Sequence, residues 1–141
     1  MTKVLFVCVH NAGRSQMAAA FFNHLARVRG VPVTADLAGT SPGTAVNPAA
    51  VRAVAECGID LTGVRPKLLT AEVAGAADRL VAMGCGVEAS MCPAGVHFTE
   101  DWGLPDPAGQ SDDAVRHIRD LVRDRVEGLL DEICGRPEDQ P

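Results

Sequence analysis

Seven residues near the start of the chain, KVLFVCV at positions 3–9, leave few folds open. After Lys3 they are apolar without a break, the pattern of a short strand buried on both faces of a sheet. A strand covered on both faces needs helices above and below it. The run therefore predicts a parallel sheet inside an α/β layer structure.

The rest of the chain agrees with that reading. Met17, Phe21, Leu25 and Val28 recur at steps of four, four and three, which predicts a helix over 14–29. Ala18, Ala19, Ala20 and Ala26 leave it free to pack closely on a sheet, and Gly30 stops it. VPVTADLAGT (31–40) reads as a second strand. Asn47-Pro48 opens a helix running through Val51, Val54 and Ala55 to Gly58. A short helix begins near Thr70. DRLVAMG (78–84) gives a third strand and VHFTEDW (96–102) holds a fourth. Ser111 caps a last helix whose apolar stripe is Val115, Ile118, Val122, Val126, Leu129 and Ile133. The tail at 136–141 is expected to fray. Strands alternating with helices predict an α/β three-layer sandwich, a four-stranded parallel sheet flanked by helices. No repeat or linker divides the chain, so one domain is expected over 1–141. Ligands of such sheets bind beyond the carboxyl ends of the strands, where Cys8 and Cys85 both fall.

Composition narrows the function. A net charge of −5 over 141 residues argues against a general binder of nucleic acid or of anionic membranes. If this protein handles an anion, it does so in one local positive pocket. No apolar stretch approaches the ~20 residues of a membrane span, and the N-terminus lacks the form of a secretory signal. A cytoplasmic location is the default. Thiols stay reduced there, so five cysteines read as catalytic, redox, metal-binding or core groups.

Cys8-Val9-His10-Asn11-Ala12-Gly13-Arg14-Ser15 has the form C-x5-R-S between a strand and a helix. Such a loop can curl its backbone N–H groups inward at the positive end of the helix, and both features bind tetrahedral oxyanions. Arg14 adds a bidentate clamp. Gly13 supplies backbone freedom, and Asn11 tolerates a left-handed conformation. The same field favours a thiolate at Cys8 and makes it the nucleophile, with Ser15 placed to donate to it. Thiolate attack on an oxyanion needs a proton for the leaving oxygen. Asp106, in DWGLPDPAG, is the candidate acid. Alone, Asp106-Pro107 is a turn dipeptide.

These segments resemble the low-molecular-weight tyrosine phosphatase fold, and more specifically the arsenate reductases built on it. The resemblance covers nearly the whole chain: C-x5-R-S, the following QMA, the AGT strand end, the Asn-Pro helix start, a mid-chain cysteine pair and W-G-x-x-D-P-A-G. It implies that Cys8 attacks arsenate, Arg14 and the loop N–H groups from Val9 to Ser15 hold the oxyanion, and Asp106 protonates the leaving oxygen. Phosphate or sulfate would compete.

Cys85 and Cys92, in MGCGVEASMCPAG, decide between relatives. The resemblance implies that phosphatases of this fold do without such a pair, whereas thioredoxin-coupled arsenate reductases use one. Cys85 would attack Cys8 and release arsenite, Cys92 would take over the disulfide, and thioredoxin would reduce it. No cofactor is needed. A zinc site with His97 fits poorly, because the gap exceeds the usual thiolate spacing.

Cys57 and Cys134 read as packing residues, His10, His24 and His117 as surface or loop residues, and Trp102 as a brace for the Asp106 loop. Some relatives bind potassium through the matching Asn and a Glu on the next helix. That helix position is Ala19 here, so no such site is expected. Phosphatases of the group usually carry an aromatic residue after Asp-Pro, where this chain has Ala108. A phosphatase remains the alternative enzyme, an oxyanion-binding module the alternative to an enzyme, and a monomer the expected state.

Overall fold

The computed structural model describes residues 2–83 and 98–135. Its elements run β1 (Thr2–Cys8), α1 (Arg14–Arg29), β2 (Val33–Gly39), α2 (Pro48–Ala55), α3 (Ala71–Gly75), β3 (Arg79–Ala82), β4 (Glu100–Asp101) and α4 (Asp112–Cys134). The sheet order is β2-β1-β3-β4 and every pairing is parallel. Helices lie on both faces, as the opening strand requires.

β1 divides the interior. Val4, Phe6 and Cys8 join a cluster with Met17, Phe21 and Phe22 of α1, Val54 of α2 and Val122 and Val126 of α4. Leu5 and Val7 point the other way, against Ala38, Leu69, Ala74 and Leu80. Period-two alternation along one buried strand thus supplies two cores.

The helix ends follow local chemistry. Gly30 takes the left-handed conformation, φ 68°, that closes α1. Asn47 accepts from the Ala49 N–H at 2.9 Å and Pro48 stands in the first turn of α2. Thr70 and Ser111 cap α3 and α4 in the same way.

Three sequence expectations need correction. Val28 is 71% exposed. Its phase on α1 matches Phe21, but the last turn runs beyond its cover; periodicity reports a face, not where the packing partner ends. Ala55 is also exposed; α2 buries Val54 together with Ala50 and Ala53, and it ends at Ala55, short of Gly58. The third and fourth strands are shorter than the runs that predicted them. The tail at 136–141 lies outside the described residues.

The chain leaves β1 for β2 on one side and later returns to place β3 on the other. The crevice at the carboxyl end of β1 is therefore where the strand order changes direction.

Candidate active site

The loop after β1 faces that crevice with its N–H groups because its carbonyls are used elsewhere. Cys8 O accepts from Thr40 N at 3.3 Å, Val9 O from Ser41 N at 2.8 Å, and His10 O from Gly43 N at 2.9 Å. Ala12 O accepts from Asn47 N at 2.7 Å and Gly13 O from Met17 N at 3.0 Å. Asn11 O accepts from Gln16 Nε2 at 2.9 Å. With each carbonyl turned outward, the planar peptides turn N–H groups toward the concavity. α1 starts at the same place with no side-chain cap and no acid in its first turn. Its first N–H groups and its positive end are thus left for an anion.

Cys8 lies at the floor, 4% exposed. Its sulfur accepts from Asn11 N at 3.3 Å and lies 3.1 Å from Ser15 Oγ. Asn11 Nδ2 donates to that same Oγ at 2.7 Å. Against a Cys8 thiolate the hydroxyl, already accepting from Asn11, donates its own proton to the sulfur. Donors aimed at sulfur favour the thiolate. Asn11 reaches this position at φ 54°, a left-handed conformation rare outside glycine.

Arg14 is 6% exposed, yet its charge is well met. Nη1 donates to Leu104 O at 2.6 Å and to Met83 O at 3.1 Å. Nη2 is 3.7 Å from Asp106 Oδ2, too long for a hydrogen bond. The anchored Nη1 fixes the plane of the guanidinium and leaves its other edge for an oxyanion. The Asp106 side chain is 58% exposed, and its Oδ1 accepts from Ala108 N at 2.9 Å. The carboxyl group thus hangs over the pocket mouth beside Pro107 and Ala108, which line it.

Two glycines permit this closeness. A Cβ on Gly13 would come within 2.8 Å of Pro107 Cγ, so a larger residue would push the Asp106 segment off its seat on the loop. A Cβ on Gly39 would lie 2.6 Å from Val9 O and 2.9 Å from Asn11 Cβ. The loop therefore rests directly on the end of β2.

The fold brings Cys8, Asn11, Arg14, Ser15 and Asp106 to one crevice. His10 is exposed at its rim, with Nδ1 3.2 Å from Ser41 O. Trp102 is buried against Phe6, ring centroids 5.3 Å apart, just before the 103–106 turn. Cys57 and Cys134 are half-buried against the main core. Burial pushes the Cys134 thiol up, partly offset by Arg29, which suits an unreactive residue. Cys85, Cys92 and His97 lie outside the described residues. Among the described residues, no three metal-ligating side chains converge. Sequence reading missed Gln16, Lys67 and Gly39. Gln16 and Gly39 left a signal only as letters of the QMA and AGT landmarks, and Lys67 left none.

A family model described as low molecular weight phosphotyrosine protein phosphatase matches residues 3–137. The chain is 36% identical over 137 residues to a protein of Synechocystis sp. named glutaredoxin arsenate reductase, covering 94% of this chain and 99% of that one. A solved arsenate reductase in its phosphate-binding state superposes with a TM-score of 0.79 at 34% identity, over 94% of this chain and 99% of its own. A thioredoxin-dependent arsenate reductase of Corynebacterium glutamicum superposes with a TM-score of 0.75 at 35% identity, over 94% of this chain and 62% of its own.

Proposed function

This chain belongs to the low molecular weight phosphotyrosine protein phosphatase family, and we propose that within it the chain is an arsenate reductase regenerated by thioredoxin. One observation carries the first half of the reaction. Cys8 sulfur, with two donors on it, sits beneath inward N–H groups beside an anchored arginine. The Cys8 thiolate attacks arsenic. Arg14 and the N–H groups of the loop hold the remaining oxygens, and Asp106 gives its proton to the oxygen that leaves as water.

The second half belongs to the cysteine pair. Cys85 attacks Cys8 Sγ, the S–As bond breaks, and its electron pair stays on arsenic, which departs as arsenite. The two sulfurs supply the two electrons as a Cys8–Cys85 disulfide. Cys92 then attacks Cys85 Sγ, freeing Cys8, and a dithiol protein reduces the Cys85–Cys92 disulfide. Relatives at similar identity carry glutaredoxin and thioredoxin in their names. The pair Cys85/Cys92 favours thioredoxin, because a second cysteine lets the disulfide pass from Cys8 to the pair, for a dithiol protein to reduce.

The test follows NADPH oxidation with thioredoxin, thioredoxin reductase and arsenate. Wild type should turn over repeatedly. Cys92→Ser should stop after at most one turnover and hold the Cys8–Cys85 disulfide, seen by peptide mapping. Sustained turnover by Cys92→Ser rejects the relay. No arsenate-dependent oxidation by wild type, with hydrolysis of a phosphotyrosine ester, would favour a phosphatase that shares the first step.

A further inference from the structure

Gln16 is buried completely in the first turn of α1, yet the chemistry proposed for the site gives it no part. A glutamine at this third helical position commonly turns back to the cap of its own helix. Gln16 reaches past the cap instead. Its Nε2 donates to Asn11 O at 2.9 Å and approaches Asn11 Oδ1 at 3.4 Å. Its carbonyl end has no partner among the described residues. For packing alone, an apolar side chain of this volume would serve better than a buried amide with one end unmet.

Asn11 is the residue that needs holding. It occupies a left-handed conformation that L residues avoid. Its backbone N–H donates to Cys8 Sγ, and its side chain orients Ser15, a second donor to that sulfur. The amide of Asn11 could in principle turn over. Lys67 N prevents this by donating to Oδ1 at 2.9 Å, which leaves Nδ2 for Ser15. Lys67 N fixes the side chain, and Gln16 fixes the backbone carbonyl. These two donors on the sulfur therefore depend on one residue, and Gln16 is the side chain that grips its main chain.

We infer that Gln16 is a positioning residue, which holds Asn11 in its left-handed conformation and so keeps two hydrogen-bond donors on the Cys8 thiolate. A glutamate could not replace it. Its oxygens would face the acceptors of Asn11, and its charge would lie beside the thiolate.

This inference needs Cys8 to act as a thiolate but does not need arsenate, so it can fail while the reductase reading stands. The readout is the rate of iodoacetamide alkylation of Cys8 in the reduced full chain, followed from pH 5 to 9 on its own peptide by mass spectrometry. In Gln16→Met the profile should move to higher pH, with alkylation near pH 6 slowed about tenfold, one pH unit of displacement. Gln16→Glu should move it further. In an Asn11→Gly background, where φ > 0 costs nothing, Gln16→Met should add no further displacement. An unchanged profile in folded Gln16→Met overturns the inference, and so does an additive effect in the glycine background. If the variants do not fold, wild type still tests it by NMR. Gln16 side-chain amide protons that exchange slowly and shift as Cys8 titrates support the inference; fast exchange with water overturns it.

Discussion

Ser15 stands between a donor that fixes it and a sulfur that receives its proton, 2.7 Å from Asn11 Nδ2 and 3.1 Å from Cys8 Sγ. Ser15→Ala deletes one donor to the sulfur and leaves the Asn11 N–H and Arg14 in place. A hydrogen bond to a charged group contributes about 1.5–3 kcal/mol. Alkylation of Cys8 at neutral pH should therefore slow by about 10- to 100-fold, while phosphate affinity changes far less. Parallel alkylation and phosphate titrations check both halves, and equal losses in the two would place Ser15 in anion binding instead. The sequence could name Ser15 because the whole C-x5-R-S unit is contiguous, so spacing alone brings thiol, guanidinium and hydroxyl to one turn. It could not name Lys67, which reaches Asn11 through a backbone N–H 56 positions away. Nor could it show that Arg14 is anchored on Met83 O and Leu104 O. Backbone carbonyls have no sequence signature, and only the sheet order brings them together.

At the scale of elements, α2 and α4 are joined by an exposed Arg52–Asp112 pair at 3.1 Å and, at the end of α2, by one carboxylate that meets two arginines. Arg116 meets Glu56 through Nε at 3.0 and 3.1 Å and through Nη2 at 2.9 Å. Arg119 Nη1 meets Glu56 at 2.7 Å and the Ala53 carbonyl at 2.9 Å, near the end of α2. Hydrogen bonds from Arg116, and then Arg119, hold the Glu56 carboxyl below its ordinary value of 4.5. A carboxylate held low in the folded state favours folding above its unfolded value. That contribution fades as pH falls through the folded value. Glu56→Gln should therefore melt below wild type at pH 7, and the gap should close as pH drops below about 4.5. Because Glu56 and Arg116 are open to solvent, the gap should be modest and should shrink in high salt. Melting curves from pH 3 to 7 check this; a gap independent of pH would assign the effect to shape alone. The helices themselves were legible from apolar periodicity and from Asn47, Thr70 and Ser111 as caps. Their mutual bracing was not, because an arginine-rich, acid-rich face reads simply as solvated until a second helix is laid against it. The two-residue β4 escaped precise reading for a related reason: a strand this short is defined by its pairing with β3, not by its own pattern.

For the whole molecule, the contrast lies between a chain of net charge −5 and a pocket built to hold an anion. Arg14 carries that contrast, and it also joins three separate segments: the loop after β1, the end of β3 at Met83, and Leu104 beside the Asp106 turn. Binding and stability should therefore be linked through it. Phosphate at about 100 times its Kd should stabilise wild type by about 2.7 kcal/mol, raising Tm by about 10 °C for a chain of this length. Arg14→Lys keeps the charge, but a single ammonium cannot bridge two carbonyls and also present a second edge to an oxyanion. Its Tm without phosphate should fall. If its affinity is about a hundredfold weaker, the same phosphate leaves about 0.4 kcal/mol, a rise under about 2 °C. Differential scanning calorimetry with and without phosphate separates the two roles. A full phosphate shift in Arg14→Lys would mean that the loop N–H groups hold the anion unaided. An unchanged Tm in its absence would mean that the carbonyl bridge adds nothing to the fold. Loss of both is what one buried guanidinium serving as ligand and as crosslink requires.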